Sequence, residues 1–242
     1  MADPVKALQT QLSNIEKRTD RSLTDLAAVL TASASRRALL GRILLPAAAI
    51  AAPGLLTGGP SRAAVSRRLT PAQGEGPFYP VDLPKDTDFD LLRQGDVSYS
   101  RGQVAWLQGT VVDPSGRPVS GAVVEIWQCD FDGHYRHPGD GDRADPAFQA
   151  FGRVVVDGDG NYRFRTLRPM PYSGRTPHIH LKVRHNRRTL LTTQVYVDGD
   201  PGNARDPLWR SLRDPLDRAA LTLPFRPAVD GLQARFEIVV AA

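Results

Sequence analysis

From residue 103 onward the chain alternates between short runs of β-forming residues and turns rich in Gly, Pro, Asp and Asn. Short strands separated by such turns are typical of a sandwich of two sheets, in which each strand buries one face. The pattern predicts a mostly β protein with an antiparallel β-sandwich core and long loops. The seven predicted strands are residues 103–113, 121–129, 151–157, 161–167, 177–185, 190–198 and 235–240.

Two other stretches of this region are expected to be irregular. Residues 199–231 contain several Pro and Asp, which predicts a long loop with one short helix at about 208–212. Residues 70–80, TPAQGEGPFYP, place Pro77 and Pro80 around two aromatic residues. Proline restricts its own backbone and that of the preceding residue, so a rigid extended segment is expected there.

Basic charge is concentrated near the N-terminus. Residues 1–68 hold ten Lys and Arg against four Asp and Glu, a net charge of +6. Of the totals of 31 basic and 26 acidic residues, 21 and 22 remain in residues 69–242, a net charge of −1. A protein that binds the phosphate backbone needs its basic charge on the folded surface, so nucleic acid is not an expected partner. We divide the chain into an N-terminal helical leader, 1–68, and a β domain, 69–242.

The leader carries two patterns. Apolar residues recur at helical spacing over residues 5–30, which predicts an amphipathic helix. Arg36 and Arg37 are followed by the uncharged apolar run 43–56 and by small residues near position 62, as in a twin-arginine export signal. The run is too short to span a bilayer comfortably, so no stable membrane insertion is expected. We expect an exported, periplasmic protein; the alternative is a cytoplasmic protein with a helix packed on its domain.

Two histidines share one face of a predicted strand in PHIHLKVRH, residues 177–185. Side chains alternate along a strand, so His178 and His180 project to the face opposite Ile179 and Leu181. Two imidazoles so placed can hold one metal ion from the same side. The alternative for an isolated pair is two polar residues on a solvated face.

The hairpin that follows this strand predicts a third residue on the same face. If its turn is centred on Arg187, His180 lies opposite Gln194, and directly opposed residues of an antiparallel pair share a face. The Gln194 amide could then hydrogen-bond a ligand held at the metal, whereas the commoner role of such a residue is to face solvent.

Tyrosines add a second kind of metal ligand. Tyr172 lies in a tight turn, residues 171–174, upstream of the histidines, and Tyr135 ends the loop DFDGHY. A nearby cation can deprotonate a coordinating phenol, and the hard anionic oxygen that results suits Fe(III). Two phenolates and two neutral imidazoles would leave ferric iron with a formal charge of +1, receptive to an anionic substrate.

The remaining reactive-looking groups have structural explanations. The single Cys129 excludes an internal disulfide and is expected to be a small buried thiol. Residues 130–133, DFDG, faintly resemble a calcium loop, but the bidentate Glu such a loop needs is missing, and β-turns are expected.

Residues 109–140, 151–172 and 174–180 together resemble the intradiol ring-cleavage dioxygenases, most closely the protocatechuate 3,4-dioxygenase type. GEGPFYP, residues 74–80, is also similar to a motif of that family. The resemblance covers roughly residues 70–240 and implies a prealbumin-like β-sandwich as the catalytic domain. It implies a mononuclear non-haem Fe(III), a small-molecule catechol and O2 as substrates, and cleavage between the hydroxyl-bearing carbons to a cis,cis-muconate-type diacid.

The same resemblance assigns the residues of the site. It implies that Tyr135, Tyr172, His178 and His180 hold the iron, with Tyr172 as the axial ligand that leaves when the catechol binds. Arg175 and Gln194 occupy the positions that line the substrate pocket and stabilise charge on the ring. The catalytic residues implied are therefore Arg175, Gln194 and Tyr172.

The sequence also departs from the family. Only five residues separate Tyr172 from His178, a shorter interval than in the protocatechuate enzymes. The tryptophan expected soon after Tyr172 is missing, and Thr176-Pro177 replaces the usual Pro-Ala. These differences reshape the pocket, so the preferred catechol does not carry over. The long helical dimerisation domain of the catechol 1,2-dioxygenases is missing too, unless residues 5–30 are a remnant, and a homo-oligomer is left open.

Two alternatives compete with this interpretation. The segment 109–126 followed by DGNYRFRTL also resembles non-catalytic prealbumin-like and carboxypeptidase-regulatory β-sandwich modules, which have no reason to keep two Tyr and an HxH together. The other alternative keeps the metal but makes it Fe(II) or Zn(II). Ferric tyrosinate absorbs visible light and Zn(II) does not, so the colour of the protein distinguishes them.

Overall fold

The structure, a computed structural model, describes residues 66–242. The helix predicted over residues 5–30 and the export signal predicted over 35–63 lie outside the described residues and stay predictions. No helix in the described part of the chain is long and apolar enough to cross a membrane.

Two α-helices and twelve strands occur within residues 66–242. The helices are α1 Pro207–Ser211 and α2 Pro215–Leu221. The strands are β1 Arg93–Gln94, β2 Val97–Ser98, β3 Val104–Val112, β4 Val123–Trp127, β5 Phe151–Val155, β6 Asn161–Leu167, β7 His178–His185, β8 Arg188–Val197, β9 Thr222–Leu223, β10 Arg226–Ala228, β11 Gly231–Arg235 and β12 Ile238–Val239.

The longer strands form two five-stranded sheets. One has the order β5-β4-β7-β8-β9; in the other, β3 pairs with β6 and also with β11 and β12, while β10 lies outside β11. Most pairings are antiparallel, but β9 runs parallel to β8, and β11 and β12 run parallel to β3.

One hydrophobic core lies between the two sheets. Leu107 and Phe164 of one sheet and Ile126, Ile179 and Leu181 of the other are fully buried in it. Alternation along β7 therefore sends Ile179 and Leu181 into the core and turns the histidines to the outer face of the sheet. The predicted mostly β sandwich is confirmed.

The hairpin of β7 and β8 has the predicted register at the histidines, with His180 opposite Gln194. Its turn consists of Asn186 and Arg187, whose φ angles are 48° and 64°. Both values are left-handed, as tight two-residue hairpins require. A bulge beyond Val183 adds one residue to β8. The turn is shorter than the one expected around Arg187, but the extra residue in β8 compensates for it. The pairing of His180 with Gln194 is therefore the predicted one.

The C-terminal connection contains more structure than the loop and single helix predicted for residues 199–231. Helix α1 lies close to the prediction, and α2 was missed. Each helix begins at an Asp-Pro pair, where the side chain of Asp206 or Asp214 caps the first turn and Pro takes the first helical position. The repeated Asp-Pro pair was the available signal.

Candidate metal centre

His178 and His180 lie side by side on the outer face of β7, in the middle of their sheet. Each is at most 1% exposed, because β4 and β8 flank the strand and other segments cover its face. Their Nε2 atoms are 3.2 Å apart. The two imidazoles therefore converge on one point, as the spacing predicted.

Tyr135 reaches the same point from the loop after β4. Its hydroxyl lies 3.0 Å from Nε2 of His180, and the side chain is 2% exposed. The loop is shaped by Asp130, a buried carboxylate that accepts backbone N–H groups of Asp132, His134 and Asp145 at 2.8–2.9 Å. Backbone amides occupy this carboxylate, so DFDG is a turn, as expected.

Tyr172 closes the centre from the turn before β7. The N–H of Arg175 bonds the carbonyl of Tyr172 at 2.7 Å, with Ser173 and Gly174 in left-handed conformations between them. The Tyr172 ring lies 4.9 Å from that of Tyr135 and 5.4 Å from that of His178, centroid to centroid. The structure thus brings the four predicted ligands together.

Both histidines are in the neutral form that a metal cation needs from an imidazole ligand. Burial lowers the pKa of His178 to about 4 and that of His180 well below its ordinary value, so both rings are neutral at pH 7. Nδ1 of His178 lies 2.6 Å from the carbonyl oxygen of Thr176. Since a carbonyl only accepts, Nδ1 carries the proton and Nε2 presents its lone pair to the centre.

The phenols need a cation in order to ionise. Burial raises the pKa of Tyr135 well above its ordinary value and also raises that of Tyr172. A metal ion placed among the four side chains would favour the phenolates and would separate the histidine lone pairs, so the donor set fits Fe(III). Within residues 66–242, no three side chains of His, Cys, Asp or Glu lie together in a group that could hold a metal ion.

The structure places Arg175 and Gln194 in contact with each other beside this centre. Nη2 of Arg175 donates to Oε1 of Gln194 at 2.7 Å, and Nε donates to Oδ2 of Asp206 at 2.7 Å. Gln194 is fully buried, so a solvent-facing role is wrong. Asp206 is fully buried too, and it accepts the Thr176 N–H and caps helix α1. Arg175 is therefore held in one orientation beside the two tyrosines.

Comparison with known proteins gives the family. A family model described as Dioxygenase matches residues 74–242. The chain belongs to the intradiol dioxygenase family. A hydroxyquinol 1,2-dioxygenase of Corynebacterium glutamicum is 34% identical over 145 residues, which are 52% of this chain and 45% of that protein. A protocatechuate 3,4-dioxygenase beta chain of Burkholderia cepacia is 31% identical over 163 residues, 63% of this chain and 69% of the other.

Solved structures agree with this assignment. The dioxygenase domain of a dioxygenase carbohydrate-binding protein fusion from Streptomyces sp. SirexAA-E is 31% identical, with a TM-score of 0.56 over 71% of this chain and 97% of that domain. An intradiol ring-cleavage dioxygenase from Tetranychus urticae, 23% identical with a TM-score of 0.59, shares the fold over 72% of this chain and 95% of its own. The chain spans about half the length of the hydroxyquinol enzyme it matches.

Several residues that surround this centre were not predicted individually. Residues 74–80, here called the covering segment, place Phe78 against the Tyr135 ring, stacked at 4.7 Å and 21°. Trp127 of β4 stacks on His180 at 4.9 Å and 10°. Alternation along β4 could have placed Trp127 on the histidine face. The contacts of Asp206 and Phe78 depend on long-range folding, and no local spacing in the sequence predicts them.

Proposed function

We propose that this protein is an enzyme, a non-haem Fe(III)-dependent intradiol dioxygenase. It would cleave a catechol-type ring between its two hydroxyl-bearing carbons with both atoms of O2 and yield a cis,cis-muconate-type diacid. The observation that carries this proposal is the convergence of Tyr135, Tyr172, His178 and His180 on one buried point. A non-catalytic β-sandwich module would have no use for that convergence.

Those four side chains would hold the metal, two as phenolates and two as neutral imidazoles. Fe(III) in this position would supply the Lewis acidity that makes a bound catechol reactive towards O2. The protein's own part is to keep the donors in place and water away from them. Backbone contacts fix the Tyr135 loop, and Phe78 and Trp127 cover the donor rings.

Tyr172 and Tyr135 differ in a way that assigns their roles. Tyr135 is almost completely buried, whereas Tyr172 is only partly buried and lies in an exposed turn. Tyr172 is therefore the phenol that an incoming substrate can reach. As a phenolate, Tyr172 would take up a proton from a catechol hydroxyl, which would let the substrate bind as an anion.

Arg175 supplies a fixed positive charge next to that position. Its guanidinium is held by Asp206 on one side and Gln194 on the other, so it does not need to reorganise as charge builds on the ring. Preorganised charge of this kind is often the largest catalytic contribution. The catechol class is proposed because the similar enzymes are named for catechols or for hydroxylated or carboxylated relatives of catechol.

The proposal is tested by measuring the iron content, the visible spectrum and the catalytic turnover of the purified protein. We expect about one iron per chain, a red-brown colour from a broad visible band, and a shift of that band when a catechol is added. Turnover of catechol, protocatechuate, hydroxyquinol and halocatechols should consume one O2 per ring and give a ring-opened diacid. A colourless protein with stoichiometric zinc, or iron without turnover of any of these rings, would overturn it.

A further inference from the structure

One side chain next to the metal centre contacts the covering segment near both of its ends. Lys182 follows His180 by two residues on the same face of β7 and is 8% exposed. Its ammonium pairs with the Glu75 carboxylate and lies 3.5 Å from the centroid of the Tyr79 ring. Because Glu75 and Tyr79 are four residues apart, a single cation connects both parts of the segment to the strand that carries the histidines.

The Tyr79 end is fixed by a second contact as well. The Tyr79 hydroxyl donates to Oε2 of Glu125 at 2.9 Å, and Glu125 is fully buried with its other oxygen bonded to Arg153 at 2.7 Å. The Tyr79 and Trp127 rings also pack edge to face, with their centroids 5.0 Å apart. Tyr79 is therefore attached to the sheet by its hydroxyl, by its contact with Lys182 and by its contact with Trp127.

The residues between these two attachments touch the metal ligands. A Cβ on Gly76 would lie 3.1 Å from Cε1 of His180, so the backbone of the segment rests on that ring. Phe78 stacks on Tyr135, as described above. His180 gains most from such support, because its Nδ1 is buried and bonds no group within residues 66–242. Its orientation depends on packing, whereas His178 is oriented by Thr176.

We propose that Lys182 is a positioning residue that holds the covering segment against His180 and Tyr135 and so slows the loss of the metal. The inference rests on the proposed function for the identity of the metal. Lys182 acts through Glu75 and Tyr79 and would not itself ligate. The cation–π contact and the ion pair are both largely shielded from solvent at the lysine, where such contacts are stronger than on an open surface.

The test compares Lys182→Met, which keeps most of the stem but removes the charge, with Lys182→Arg, which keeps a cation. Hydrogen–deuterium exchange of residues 74–80 is measured in the metal-free protein, and release of iron to a chelator is measured in the loaded protein. We expect Lys182→Met to raise both rates by about 10-fold and Lys182→Arg to recover most of the loss. Arg235→Met, on the exposed face of the other sheet, is the matched control and should change neither rate.

Glu75→Gln provides an independent variant at a half-exposed position, where the fold is not at risk. It should raise both rates less than Lys182→Met, and the double variant should show less than the sum of the two effects.

Wild-type rates in Lys182→Met, or strictly additive effects in the double variant, would overturn the proposal. If Lys182→Met does not fold, wild-type exchange and iron-release rates in Glu75→Gln would be sufficient to overturn the proposal. A wild-type protein without iron would defeat the proposed function, while the exchange measurement would still test the attachment of the segment.

Discussion

Gln194 lies directly opposite His180 across the β7–β8 hairpin, and its amide oxygen accepts a hydrogen bond from Arg175 at 2.7 Å. One residue thus links the strand that carries the histidines to the turn that carries Arg175 and Tyr172. Its amide nitrogen donates to the carbonyl of Gly74, at the start of the covering segment. The register of a single hairpin therefore determines how three parts of the site meet.

Arg175 provides the first prediction. Arg175→Ala should keep iron and colour, because none of the four ligands is changed, while kcat/KM should fall by about 10²-fold or more. Arg175→Lys should recover only part of the loss, since an ammonium cannot bond Asp206 and Gln194 in the planar arrangement seen here. Steady-state kinetics at matched iron content check this. Turnover close to wild type in Arg175→Ala would show that the residue has no catalytic role.

The two tyrosines should contribute separately to the visible band. Tyr135→Phe and Tyr172→Phe each remove one phenolate donor, so each should shift or weaken the band of the iron-loaded protein. Tyr135 is buried and lies 3.0 Å from His180. Tyr135→Phe should therefore also lower the iron content more than Tyr172→Phe does. Spectra and metal analysis of both variants, with Tyr162→Phe as a control in the core, check the assignment; an unchanged band in either variant contradicts it.

The histidine side of the site was predictable from the sequence because its residues lie on the regular strands β7 and β8. His178 and His180 follow from alternation, and Gln194 follows from a hairpin register that holds as far as the bulge near Val183. Tyr135 and Tyr172 were candidate ligands because a phenolate suits Fe(III), and the resemblance assigned them to the same site as the histidines. Their approach depends on loops shaped by buried carboxylates, and no local pattern encodes those contacts.

Asp206 illustrates what could not be predicted. It lies 31 residues from Arg175 and was assigned to a loop, yet it bonds Arg175, accepts the Thr176 N–H and begins helix α1. An Asp before Pro signals a helix start, but the same signal cannot show which distant side chain the carboxylate will meet. Helix α2 escapes prediction for a related reason, because prolines in a polar stretch also indicate a loop.

Cys129 should be chemically inert in the folded protein. Burial raises the pKa of its thiol to about 12, so at pH 8 only about 10⁻⁴ of it is the reactive thiolate. The native protein should not react with a thiol reagent over minutes, and the unfolded protein should react with one equivalent. Fast labelling of the native protein would show that the thiol is not buried as described here.

We propose export for the leader, on the strength of its paired arginines and apolar run. Arg36→Lys combined with Arg37→Lys should then leave the protein in the cytoplasm, because the twin-arginine signal depends on that pair. Fractionation of cells and sequencing of the mature N-terminus check the expectation, with Arg42→Lys as the control. Active cytoplasmic enzyme with an intact N-terminus in the wild type would favour the cytoplasmic alternative.

A substitution at Gly76 tests whether the covering segment positions the His180 ring in addition to stabilising the fold. It has a φ of 76°, and an added Cβ would lie 3.1 Å from Cε1 of His180. Gly199 has a φ of 73° with open space at the corresponding position. Alanine at either residue should reduce the free energy of unfolding by about 1 kcal/mol, because left-handed backbone is unfavourable for any residue with a Cβ.

Only Gly76→Ala should also displace the His180 ring. We therefore expect it to shift the visible band of the iron-loaded protein and to speed the release of iron to a chelator, while Gly199→Ala leaves both unchanged. Denaturant unfolding of the metal-free proteins measures the shared loss of stability, and the spectra measure the specific effect. If the two variants lose equal stability and keep the same band and the same rate of iron release, the contact between Gly76 and His180 has no influence on the centre.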